Sequence, residues 1–412
     1  MAFRFLHLAD LHLDSSYGGS PTTVERLRLG TLQALERATQ LAIEAGLDAV
    51  LIAGDAFDDD RLGYESRAVF RREVARLAEA GVSVVYTTGN HDPGTVTGRA
   101  ANLKLSPLGS RGGSVHVVLD GEAQTLPLRD RSGQEAAVVV AAGHSSSRVT
   151  DNLVAPMRTA MERARSRGLP VIGLTHTQVG SARGADGHQP YAPCSVADLM
   201  ACDADYWALG HVHVRGRIDP AVPAYYSGNL QGRHAKETGA KGGLLVELDA
   251  DGLDGEPEFV ALAPVEFFSC AVELPSSAEP EEVAERVAAA LDAAAADGRG
   301  PTARELVLRV SHGVGYRFDG DFEAAVREEV QRKSGPVFGD ILEVELRPAA
   351  ASAAPAAREA SVQDMLRAIE QTPSALREAL IVCAERDAAN GTRLADALID
   401  RLRLGSEGAR HA

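Results

Sequence analysis

Thr87-Thr88-Gly89-Asn90-His91-Asp92-Pro93 sets an amide, an imidazole and a carboxylate side by side at positions 90, 91 and 92. The apolar run at residues 82–86 precedes it and reads as a buried strand ending at Tyr86 or Thr87. Gly89 and Pro93 bracket the trio, which places it on a tight loop at the C-terminal end of that strand. Open α/β sheets carry their chemistry at this edge. Four other segments show the same pattern, a strand running into polar side chains.

The first is residues 3–10, a strand leading into Asp10 and His12. In extended backbone, side chains at i and i+2 point the same way, so both can reach one ion. The second is residues 48–55, nearly all apolar as in a covered parallel sheet, ending in Gly54-Asp55. Without a Cβ, Gly54 permits close approach there. The third is the strand at residues 171–175, which ends at His176, and the fourth is 206–209, which ends at Gly210-His211-Val212-His213.

Helices separate these strands. Leu27, Leu32, Leu35, Ala38, Leu41 and Ala42 recur at helical spacing within residues 24–44, and Gly46 closes that helix. Further helices are predicted at 65–80 and 155–167, with a short one near Ala197. This alternation predicts an α/β core. Additional strands are expected at 115–118, 123–128, 136–141, 224–226, 243–248 and 259–262, and a polar loop at 179–198.

The pattern changes near Pro264. Strands at 267–274, 305–311 and 341–346, with helices at 280–296 and 321–332, describe a small α+β unit. An Ala/Ser/Pro-rich stretch follows and reads as a linker. Two amphipathic helical patterns, broken at Asn390-Gly391, close the chain. The expected domains are therefore 1–265, 266–347, a linker at 348–360 and a helical tail at 361–412. A length of 412 residues suits two or three domains, and 45% hydrophobic content suffices for a large core.

No run of about 18 apolar residues occurs, so no membrane span or leader is expected. The four cysteines have no metal-site or disulfide spacing and read as thiols in a reducing cytoplasm. A net charge of −16 repels nucleic acid in general. Binding DNA would need a local basic surface or bound cations.

Asp10, His12, Asp55, Asn90, His176, His211 and His213 thus offer seven ligands, too many for one ion and suited to two. Oxygen and imidazole donors without thiolate favour Mn²⁺, Fe²⁺ or Zn²⁺ over Ca²⁺. A shared carboxylate would hold two ions about 3.5–4 Å apart, the spacing used for in-line phosphoryl displacement. Asp55 is the candidate bridge, because the other ligands divide into two groups around it.

This ordered set, Asp-x-His, Gly-Asp, Gly-Asn-His-Asp, His and Gly-His-x-His, resembles the calcineurin-like metallophosphoesterase superfamily over residues 3–250. The resemblance implies one ion on Asp10, His12, Asp55 and His213, and a second on Asp55, Asn90, His176 and His211. It implies that His91 protonates the leaving oxygen or stabilises the transition state, with Asp92 orienting it. A narrower resemblance is to SbcD-type DNA-repair nucleases. It rests on Gly54-Asp55-Ala56-Phe57-Asp58, on residues 207–213 and on the layout of core, cap, linker and tail. Residues 226–234, Lys241-Gly242-Gly243, Tyr191-Ala192-Pro193-Cys194 and His188 are similar to the YhaO-like branch of that group. Some relatives carry histidine where this chain has Asp58, which leaves open whether Asp58 assists catalysis or braces its loop.

The resemblance implies a four-layer α/β/β/α sandwich with a small α+β cap and a helical tail. It further implies a metal-dependent phosphodiesterase acting on DNA with Mn²⁺, or with Fe, Zn or Mg, in the cytoplasm. A homodimer working with an SbcC-like coiled-coil ATPase, docked on the tail, completes the expectation. Arg233, His234 and His188 are candidates for holding a substrate phosphate. His7, His116, His144 and His312 read as structural, and Asp59 and Asp60 as part of a solvated loop. Rival readings are a phosphatase or phosphodiesterase acting on a nucleotide or phosphoprotein, and a non-catalytic anchor for the ATPase.

Overall fold

The computed structural model describes residues 2–18, 21–58, 63–94, 113–180, 191–273, 303–312 and 341–348, with parts of 281–289 and 324–332. The chain divides into two compact units, residues 1–310 with 317–347, and residues 311–316 with 348–412. His188, Asp59, Asp60, nearly all of the expected linker and the whole expected tail lie outside the described residues.

The first sheet is built on β1 (Phe3–Leu8), β2 (Ala49–Ala53), β3 (Ser83–Thr87) and β4 (Val115–Val118), which run parallel. An antiparallel strand, β11 (Gly242–Asp249), flanks β1 and carries the short strands β12 (Gly252–Leu253) and β13 (Glu258–Ala261). A second sheet has β6 (Glu135–Ala142), β7 (Val171–His176), β8 (Tyr206–Gly210) and β10 (Val222–Tyr226) in parallel. The antiparallel strands β5 (Gln124–Arg129) and β9 (Gly216–Asp219) close its edges. A separate three-stranded sheet joins β14 (Val265–Glu273), β15 (Ala303–His312) and β16 (Ile341–Pro348).

Alternation along the strands makes the layers. On β1, Leu6 and Leu8 face outward to the helices α1 (Pro21–Glu44) and α2 (Tyr64–Glu79), against Leu35, Ala38, Phe70 and Val74. Phe3 and Phe5 face the other way and meet Ile172, Leu174 and Tyr206 between the two sheets. The outer face of the second sheet, with Val140, Trp207 and Leu209, packs on Val154, Met157, Met161 and Leu199. Met161 sits on α3 (Arg158–Arg165) and Leu199 on α4 (Val196–Cys202). Three apolar interfaces thus define four layers, α/β/β/α.

Sequence periodicity read residues 155–167 as one helix. The chain instead makes a 3₁₀ turn at Ala155–Met157 before α3, with Asn152 accepting from the amides of Val154 and Ala155. The strands β9 and β12 escaped that reading because their half-exposed, mixed sequences carry no strong period.

Parallel register places the strand ends at one edge. Leu8 pairs with Ile52, Ala53 with Thr87, and His176 with Gly210. The segments after β1, β2, β3, β7 and β8 therefore emerge together.

One buried polar side chain ties the sheets beneath that edge. His7 accepts from the Tyr206 hydroxyl at Nδ1 (3.0 Å), and its Nε2–H donates to the Leu209 carbonyl (3.2 Å). Burial pushes its pKa from 6.5 down to about 3. Below pH 6.5 the unfolded chain takes up a proton here that the folded chain refuses, so His7 costs stability progressively as pH falls. His7→Leu should destabilise the protein at neutral pH by about 1–3 kcal/mol for each group left unpaired. In urea unfolding, that deficit should shrink as pH falls from 6.5, its slope approaching about 1.4 kcal/mol per pH unit near pH 5. A deficit independent of pH would contradict the buried neutral assignment.

Candidate metal centre

Asp10, His12, Asp55 and His211 have φ of 50°, 46°, 49° and 104°, in the left-handed region that favours glycine. The sequence expectation of an extended Asp10-Leu11-His12 is therefore corrected: the chain leaves β1 in left-handed turns. Backbone bonds from Asp10 N–H to Gly54 O, His12 N–H to Asp55 O and Asp58 N–H to Leu13 O zip the two loops together. Such strain persists only where surrounding bonds over-determine it. Gly54 (φ 83°) is required by closeness as well, since a Cβ would lie 2.4 Å from His176 Nδ1. At Gly89 it would lie 2.2 Å from Asp55 Oδ1.

The seven expected ligands converge at this edge in two groups. His12 Nε2 lies 3.0 Å from His213 Nε2, and Asp10 Oδ1 lies 3.9 and 3.7 Å from these two nitrogens. In the other group, Asn90 Oδ1 lies 3.0 Å from His176 Nε2 and 3.2 Å from His211 Nδ1. Asp55 Oδ2 stands between the groups, 3.3 Å from His176 Nε2 and 3.9 Å from His12 Nε2.

Partners on the far side of three imidazoles set the tautomers. Nδ1–H donates to Asp58 Oδ1 from His12 (2.8 Å), to the Ala53 carbonyl from His176 (2.9 Å), and to Glu237 Oε1 from His213 (2.5 Å). In each neutral ring this turns the Nε2 lone pair inward. Lone pairs facing one another at 3.0 Å repel unless a cation or a proton lies between them. Electrostatics agree with that reading. Burial opposes charge on His176, yet the adjacent Asp55 carboxylate raises it to about 9, so a proton is held where an ion would bind. His12 is driven by burial down to about 4 and is a neutral donor at pH 7. Two carboxylates, one amide and four imidazoles without sulfur form a donor set that fits two divalent cations of the Mn, Fe or Zn kind.

His91 stands at the mouth with its side chain 39% exposed, and its ring meets His12 edge-on at 5.0 Å. Its Nδ1–H donates to the Asp58 carbonyl (2.9 Å), and Asp58 Oδ1 is 3.2 Å away. Asp92, expected to orient His91, has both oxygens taken up elsewhere. They accept from the amides of Gly89, Ala56 and Phe57 and from the Tyr86 hydroxyl, which braces the loops. Asp58 occupies the orienting position instead. Its Oδ2 also accepts from Ser15 and from Arg233 Nη2 (3.0 and 2.6 Å).

Arg233 and His234 line a cavity of about 450 Å³ beside the ligands, together with Tyr191 and Lys236. Sequence reasoning missed Glu237. Burial opposes its charge, but His213 and the amide of Arg233 hold its carboxyl well below the usual range. It stands in a polar stretch with no strand-end signature, and the one available signal was a carboxylate close after Arg233-His234. His144, read as structural, donates from Nε2–H to the His176 carbonyl (2.7 Å) and steadies that strand end.

Residues 3–215, just over half of the 412, match the family described as calcineurin-like phosphoesterase. Similar curated proteins include the uncharacterized metallophosphoesterase YhaO of Bacillus subtilis, 32% identical over 59% of this chain and 57% of its own. The DNA double-strand break repair protein Mre11 of Aeropyrum pernix is 28% identical, over 60% of this chain and 58% of its own. A subunit of the nuclease SbcCD of Bacillus subtilis is 27% identical, over 59% of this chain and 66% of its own. The chain thus spans less than two-thirds of each relative's length.

Glu237→Gln removes the charge behind His213 while keeping its volume. Calorimetric titration with Mn²⁺ should show affinity weakened roughly 10–100-fold at one of two sites. Unchanged affinity at both sites would remove Glu237 from the centre.

Proposed function

The chain belongs to the calcineurin-like phosphoesterase family, and from that premise we propose a two-metal phosphodiesterase that cuts DNA. The carrying observation is the convergence of seven acceptor side chains from the strand ends of two sheets, with His91 beside them. One ion would be held by Asp10, His12, Asp55 and His213, the other by Asp55, Asn90, His176 and His211, with Mn²⁺ the proposed metal. When bound, such ions supply Lewis-acid neutralisation of phosphate charge and lower the pKa of water.

The chain's own groups do the rest. With Nδ1 fixed on Asp58, proton transfer to the departing 3′-oxygen falls to His91 Nε2, and an imidazole suits that task near neutral pH. Arg233 lines the cavity and is held by Asp58, a setting suited to gripping a substrate phosphate. The exposed His234 offers a weaker contact. DNA as substrate draws support from the relatives named as a nuclease subunit and a double-strand break repair protein. By the same likeness we assign an SbcC-like ATPase as partner, docking on residues 361–412, a cap at 266–347, a homodimeric state and a cytoplasmic setting. No described helix is long and apolar enough to cross a membrane. The net charge of −16 favours a second reading, with a nucleotide or phosphoprotein as substrate.

Wild type and His91→Ala, each loaded with Mn²⁺, should be compared on labelled duplex DNA, single-stranded DNA and bis(p-nitrophenyl) phosphate. Cleavage of DNA should fall by at least about 10²-fold in the variant, with two metals still bound per chain. Loss of metal together with activity would make His91 a structural element of the centre. Turnover of the small diester alone by wild type would move the substrate to the second reading.

A further inference from the structure

A second cavity, of about 530 Å³, opens beside the first and shares His213, Val214, Lys236 and Glu237 with it. Three of its lining side chains are cations, Arg215, Lys236 and Lys241. Its one carboxylate is Glu237, whose oxygens are already engaged by His213, Asn229 and the amide of Arg233. Elsewhere in this acidic chain arginines are matched to carboxylates, as Arg28 to Glu25 and Glu65, Arg76 to Glu73, and Arg217 to Glu256. None of the three cavity cations makes an ion pair with a carboxylate among the described residues, and Glu237 and Asp10 act on Lys241 only at longer range.

Their placement suits an incoming anion. The Arg215 guanidinium carbon lies 3.5 Å from the centre of the Phe259 ring, a contact that holds the guanidinium without neutralising it. Lys241 is partly buried, and among the described residues its Nζ bonds the neutral His213 carbonyl, at 3.3 Å. A guanidinium and two ammonium groups lining one cavity gain from an anion set between them. We infer that Arg215, Lys236 and Lys241 form a subsite for a phosphodiester next to the scissile one along the substrate strand. This rests on the nuclease reading above and adds how an acidic protein grips a polyanion. A small diester leaves the subsite empty, whereas an oligonucleotide fills it.

The test uses the full chain with Mn²⁺, comparing wild type, Arg215→Gln with Lys241→Gln, and the charge-conserving Arg215→Lys with Lys241→Arg. For a single-stranded oligonucleotide, KM should rise roughly tenfold or more in the Gln pair. The slope of log affinity against log salt should fall by about one per cation removed. Turnover of bis(p-nitrophenyl) phosphate should stay within about twofold of wild type, and the Lys/Arg pair should recover most of the oligonucleotide affinity. A Gln pair that matches wild type on the oligonucleotide would overturn the subsite. So would equal losses on both substrates, which would mean that Lys241 acts through His213. If wild type turns over the small diester but neither binds nor cleaves the oligonucleotide, the nuclease reading fails and the subsite falls with it.

Discussion

Seven acceptor side chains from the strand ends of two sheets are pressed together, and the rest of the structure follows from keeping them there. Two carboxylates, an amide oxygen and imidazole lone pairs repel one another, and burying such charge unpaired costs several kcal/mol per ion. The fold resists this with geometry: parallel strands in register, two loops zipped by backbone bonds, and four ligands in left-handed conformations. Asp92 contributes by tying Gly89, Ala56, Phe57 and Tyr86 into one unit. A bound cation converts that repulsion into attraction, and ligand binding to the folded state alone stabilises it further.

What was legible in the sequence was what period and punctuation encode. Buried strands such as residues 49–53 announce themselves by unbroken apolar runs, and a ligand after such a run is placed by the strand itself. The four layers followed, because outward Leu6 and Leu8 and inward Phe3 and Phe5 sit on alternate positions. Backbone conformation did not follow. Asp10 and His12 were expected to converge through extended geometry, yet they converge through turns braced by the partner loop at 54–58 and by Leu230. Glu237 was missed for a related reason. Its role depends on a contact 24 residues back along the chain, which no local pattern records.

Charge provides the second contrast between sum and site. A net −16 argues against a polyanionic substrate only if charge is spread evenly, and here it is not. Surface arginines such as Arg28, Arg76 and Arg217 are neutralised in pairs, whereas Arg215, Lys236 and Lys241 make no ion pair with a carboxylate among the described residues.

Asp58 joins these two features. One carboxylate accepts from His12, a candidate ligand, approaches His91, the proposed proton carrier, and holds Arg233, which lines the cavity. Its charge therefore acts on all three at once. It keeps the His12 lone pair directed inward, fixes the His91 ring from its Nδ1 side and limits the reach of the guanidinium. A histidine at this position, as in some proteins of the resembled group, could accept one of these bonds but not all of them. The open question from sequence, whether Asp58 acts in catalysis or braces its loop, dissolves in this arrangement. Bracing the loop is how it sets the tautomer of one histidine and the direction of the other.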